Sequence, residues 1–144
     1  AGVIFSYRTP TPFTPSAGID LNNDGSTNDA VPGTHRGMGN RENAAMLTAV
    51  NAYRASRTPA LPPISESQID NNRLSRVDLR VTKGFNLGSS RKVELVGQVF
   101  NLFGTDNLGG IGSSQVGNAT AVNFGVIPSA QPRQQGEIAI RYLW

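Results

Sequence analysis

The chain has 144 residues, of which 16 are Gly, 9 are Pro and only 16% are charged, a mixture that suits long polar connections between short strands better than a compact soluble core. The net charge is +3 and Lys and Arg are scattered, so there is no basic block of the kind that holds nucleic acid. Cysteine is absent, which excludes a disulfide framework, a Cys-type zinc site and a thiol nucleophile.

No basic-then-apolar leader opens these residues and no run approaches ~18 apolar residues, so neither a signal peptide nor a transmembrane helix is expected in them. The chain reads as part of a longer protein. The first expected strand covers about 2–13, with Val3, Phe5 and Tyr7 aligned at a spacing of two. A long connection, 14–71, follows. It holds Asp20-Leu21-Asn22-Asn23-Asp24-Gly25, the opening of a calcium loop. Side-chain oxygens at its positions 1, 3 and 5 can surround a cation while Gly at position 6 permits the sharp turn. The candidate ligands are Asp20, Asn22, Asp24, the Ser26 carbonyl, Asn28 and Asp29, the last standing in for the distal carboxylate because position 12 is Val31. A solvated turn made of Asn, Asp and Gly is the alternative, and the residues leave both open.

One helix is expected in this connection, Arg41–Ser56, capped by Asn40 with Glu42 in its first turn. Met46, Leu47, Val50 and Tyr53 form a stripe that packs the long connection, a partner-binding face being the alternative. Pro59–Pro63 ends the segment. The sole histidine, His35, lies among Gly and Arg with no second ligand at metal spacing, so it reads as a loop residue.

The second strand, about 73–87, has the clearest alternation. Val77, Leu79, Val81 and Phe85 share one face, and Asp78, Arg80 and Thr82 the other. Lys83 interrupts the apolar face near one end, where a long side chain can reach water. A tight turn, Gly88-Ser89-Ser90-Arg91, leads to a third strand at about 92–103, with Val93, Leu95 and Val99 opposite Glu94 and Gln98. A second long connection, 104–133, contains Gly109-Gly110-Ile111-Gly112, which lacks the strand–helix context of a phosphate loop, and Asn118-Ala119-Thr120, a chance-level glycosylation pattern. The fourth strand, 134–144, aligns Ile138, Ile140, Tyr142 and Trp144 against Glu137, Ala139 and Arg141. The charged residues of the polar faces are expected to pair across strands, and nothing among them calls for catalysis.

Alternation alone does not separate a membrane barrel from a sandwich. The connections run long, short, long, and membrane barrels alternate short periplasmic turns with long extracellular loops. The expected fold is therefore all-β: antiparallel strands from the C-terminal end of an outer-membrane β-barrel, with long loops and one short loop helix.

The residues Thr11-Pro12-Phe13-Thr14, Gly18 through Gly25, Val77 through Phe85, Glu94 through Phe103 and Pro132-Arg133-Gln134 occur in an order that resembles the end of TonB-dependent outer-membrane receptors, especially the Oar-like, carboxypeptidase-regulatory-like group. The terminal Trp144, with Tyr142 and Ile140 behind it, resembles the signal read by the outer-membrane assembly machinery, which more often ends in Phe. The resemblance implies a receptor barrel of about 22 strands with a plug domain and an energy-coupling box that these residues do not include. It implies an outer-membrane location, with lipid and the rest of the barrel as partners, and leaves the transported ligand open. The alternative is a self-assembling extracellular filament. Four strands fall short of the ~8 a membrane barrel needs, so open edges would pair with copies of the same chain, stiffened by calcium.

Overall fold

The computed structural model describes residues 1–88, 90–110 and 116–144. They divide into two compact units. The first comprises Ala1–Thr9, Arg73–Asn107 and Ala130–Trp144; the second comprises Pro10–Asn72 and Leu108–Ser129.

The first unit is a four-stranded antiparallel sheet. Its strands are β1 (Gly2–Arg8), β2 (Leu74–Asn86), β3 (Lys92–Phe100) and β4 (Gln135–Leu143), in that spatial order. Each strand pairs with its sequence neighbour, so the sheet is a meander. The turn between β2 and β3 closes with the Leu87 N–H donating to the Arg91 carbonyl at 2.8 Å. Ser89 of that turn lies outside the described residues, as do Ile111 and Gly112 of the glycine-rich stretch.

Two strands end earlier than the alternation predicts. β1 stops at Arg8 rather than continuing to 13, because Pro10 and Pro12 have no N–H to give a ladder. β3 stops at Phe100 rather than 103. Asn101 takes a positive φ of 51°, which turns the chain out of the strand, and its N–H goes to the Asp78 carboxylate at 2.9 Å. The Leu102 N–H then returns to the Val77 carbonyl at 2.7 Å.

The second unit gathers most of the two long connections around one core. Its helix, α1, spans Asn43–Ala55. Asn40 does not cap it: Asn40 has φ 64°, its N–H donates to Asn43 Oδ1 and its side-chain amide to the Thr11 carbonyl. Glu42 takes the cap position without a side-chain bond, and the first turn carries no acid. The helix is held by packing instead. Met46 and Val50 are fully buried, and Leu47 and Tyr53 nearly so, each buried apolar side chain contributing about 1.5–3 kcal/mol relative to exposure. They meet Phe13, Val31, Met38 and Ile64 from the same segment and Phe124 from the other. Phe13 and Phe124 pack edge to face at 5.8 Å. A short 3₁₀ turn, Glu66–Gln68, precedes the exit to β2.

Candidate functional site

The register sorts the sheet's side chains into two chemically distinct faces. Val3 opposes Leu79, which opposes Val99. Phe85 opposes Val93, which opposes Tyr142, and Leu95 opposes Ile140. These residues share one face, since paired residues in an antiparallel ladder point the same way. That face is apolar, and much of it is open: Phe5 is 65% exposed, Ile138 83% and Ile140 74%. A contiguous apolar surface of this extent marks contact with lipid or another apolar partner.

Aromatic residues bound the apolar band at both ends. Phe5 and Tyr7 stack at 6.4 Å near the end of β1 from which the first long connection leaves. Tyr142 lies 5.8 Å from Trp144 at the end of the β2–β3 turn, beside the row that holds Phe85. Tyr7 pairs with Ser75, so the two aromatic rows lie ten residues apart along β2. At ~3.4 Å per residue and a strand tilt of ~40°, that separation spans about 25 Å, the height of the apolar band of an outer-membrane barrel. β2 has 13 residues and β3 and β4 have 9 each, close to the ~9–11 a tilted transmembrane strand requires. Lys83 falls one step inside the lower aromatic row, where its stem can lie along apolar surface and its ammonium can reach the headgroups.

The opposite face carries the charge, and its acids are engaged. Asp78 is nearly buried and pairs with Arg76 at 2.9 Å. Glu94 takes Lys92 at 2.6 Å and Arg141 at 3.7 Å. Glu137 accepts from Gln98 at 2.5 Å. Arg80, Gln98, Glu137 and Arg141 border a shallow cleft floored by Val96 and Ala139. Arg76–Asp78 and Lys92–Glu94 join residues two apart on one strand, not across strands as the sequence predicts. Arg141–Glu94 and Gln98–Glu137 do cross between β3 and β4, where opposite charges facing each other are favourable.

In the second unit, the Asp20–Asp29 loop is wound on its own amides. Asp20 accepts from the N–H groups of Asp24 and Gly25, at 3.2 and 2.8 Å. Asn22 Oδ1 accepts from Asp24 N–H, and Asp24 from Ser26 N–H. Asp29 Oδ2 accepts from Leu21 and Asn22. The structure thus brings Asp20, Asn22, Asp24 and Asp29 into one net, while Ser26 enters through its N–H and Asn28 is exposed. Among the described residues no three His, Asp or Glu side chains are grouped to hold a metal ion; any donor set here must draw on amide and carbonyl oxygens as well. His35 is exposed and lies 3.3 Å from Glu42.

Sequence reasoning missed Arg54. It is 2% exposed, and its guanidinium donates to the carbonyls of Pro62, Ala119 and Ala121 at 2.6, 2.5 and 3.1 Å. Burial draws its pKa below the ordinary arginine value. Arg54 stands four residues after Val50 and seven after Leu47, so the helical spacing puts it on the buried stripe, and its charge alone argues against burial. That carbonyls from a distant segment would surround it carries no mark in the sequence.

A family model for an outer membrane beta barrel domain matches residues 1–136. No curated protein and no solved structure gives a match.

Proposed function

Because the chain belongs to the outer membrane beta barrel domain family, we propose that its sheet supplies the last strands of a TonB-dependent receptor barrel, which imports a scarce ligand across the outer membrane. One observation carries the membrane part of this reading: an exposed apolar band about 25 Å tall lies between two aromatic rows and backs onto a paired charged face. The ordered resemblance of Gly18–Gly25, Val77–Phe85 and Glu94–Phe103 supports the receptor part. Among the described residues, β1 and β4 each pair along one edge only. Four strands fall short of the smallest membrane barrel, ~8, so further strands of the parent barrel would take the other edges. The filament alternative rests on the open edges and on the exposed apolar face, and aromatic rows at both ends of that face favour lipid instead. The parent protein in planar bilayers tests the reading. A receptor barrel filled by a plug should pass no steady current until urea loosens the plug. A stable open channel in plain buffer would overturn the receptor assignment and leave a porin.

The Asp20–Asp29 loop supports a second reading, a bound calcium ion. The loop already curls as such a site requires, with Gly25 at φ 87° in the sixth position and Asp20, Asn22 and Asp24 folded over the following amides. Calorimetry should give a heat on calcium addition that Asp24→Ala loses. Equal heats in both proteins would remove the site.

A further inference from the structure

The second unit is built from two chain segments, Pro10–Asn72 and Leu108–Ser129, separated in sequence by β2 and β3. They are joined by more than surface contact. The Ser16 N–H donates to the Gly117 carbonyl at 2.7 Å, and the Ala119 N–H returns to the Ser16 carbonyl at 2.8 Å. Asp70 accepts from the Ile127 N–H at 2.7 Å while its own N–H donates to the Gly125 carbonyl at 2.9 Å. Gln68 Nε2 reaches the carbonyls of both Val122 and Phe124 at 3.0 Å. The packing leaves no slack: a Cβ on Gly117 would stand 2.7 Å from the Thr14 carbonyl oxygen, and one on Gly125 2.4 Å from Ile69 Cδ1.

Arg54 lies at the centre of this junction. Its Nε satisfies Pro62 in its own segment, and its Nη1 satisfies Ala119 and Ala121 in the other. A buried charge is tolerated only while its hydrogen bonds are made. If the second segment moved away, the guanidinium would lose two acceptors and the Ala119 and Ala121 carbonyls would lose their donor. Phe124, fully buried, would leave its place against Phe13 at the same moment. Neither segment keeps a closed core without the other.

We infer that the two long connections form one cooperative body that opens and re-forms as a single unit, with Arg54 as its tie, so that a ligand held by either segment stabilises both by the same factor. Linkage requires this of any single opening equilibrium. The body responds as one element where two independent loops would respond separately. The inference stands on the second unit alone and does not depend on what the barrel carries.

Hydrogen exchange on the parent protein in lipid tests it. In Arg54→Ala the amides of Val50 and Tyr53 in α1, and of Ala119 and Gly125 in the second segment, should all exchange faster by one common factor, about tenfold or more. Acceleration confined to α1, or different factors in the two segments, would overturn the inference. Should Arg54→Ala not be recovered folded, Phe124→Leu puts the same question from the other side. The change lies in the second segment, and the α1 amides should lose protection by the same factor as Ala119. Unaltered α1 protection would refute the coupling.

Discussion

Replacing Ile138 by Arg asks the sheet directly which of its faces meets lipid. Ile138 is on the apolar face, opposite Gly97 in β3 and four residues from the aromatic row at Tyr142. Four residues at ~3.4 Å and a ~40° tilt place it about 10 Å above that row, near the middle of a band ~25 Å tall. A cationic side chain on the lipid face near the midplane costs about 2–4 kcal/mol, a change of roughly 30- to 700-fold in the folding equilibrium. The neighbouring Ala139→Arg points the new charge at the face that already holds Glu137 and Arg141, and should cost no more than about 0.5 kcal/mol. The pair is diagnostic because Ile138 is 83% exposed. If water covered that face, Ile138→Arg would be as mild as a typical surface change, ~0.5 kcal/mol or less. Denaturant unfolding of the parent protein in lipid vesicles, with wild type and both variants, measures the difference. An Ile138→Arg midpoint equal to wild type, or a larger loss for Ala139→Arg, would refute the assignment of the faces.

Gly125→Ala should destabilise the second unit by about 2–4 kcal/mol, since Gly125 has φ 79° and an added Cβ would press on Ile69; a lower temperature for loss of protease resistance in residues 10–72 and 108–129 checks it. Trp144→Ala should slow insertion of the parent barrel into liposomes by removing the ring 5.8 Å from Tyr142, whereas Trp144→Phe should keep most of the rate because an aromatic ring stays at the interface; the folded fraction resolved on a gel against time reads both. Phe124→Ala should cost about 3–5 kcal/mol of second-unit stability, the usual loss for a fully buried ring, and it should shift the thermal unfolding of that unit while β2–β3 amides keep their protection.

The strands were legible because a period of two needs no tertiary context. Val77, Leu79 and Val81 against Asp78, Arg80 and Thr82 can satisfy only an extended chain with two unlike faces. The order of connection lengths then supplied the antiparallel meander. Strand ends were less legible, and for local reasons. The apolar character of Phe100-Asn101-Leu102-Phe103 extends the pattern past the point where Asn101 adopts φ 51°. That choice is fixed by the Asp78 carboxylate, which takes the Asn101 N–H from 23 positions away. The expected cap failed similarly: Asn40 is a good capping residue by type, but Thr11 claims its side chain.

The connections hid more, because a core assembled from irregular backbone leaves no periodic trace. Phe13, Val31, Met38, Ile64 and Phe124 are scattered among Pro, Gly and Asn, and only the α1 stripe shows a spacing that announces burial. Their joining depends on polar side chains whose partners are backbone carbonyls and N–H groups, and a backbone group has no residue type to read. Arg54, Gln68 and Asp70 each reach backbone atoms of the other segment, so these bonds set no residue type at the positions they reach. The barrel wall, by contrast, meets a solvent of fixed thickness and must repeat its chemistry every second residue. Lipid therefore writes itself into the sequence of the strands, while the body formed by the two long connections answers only to its own packing.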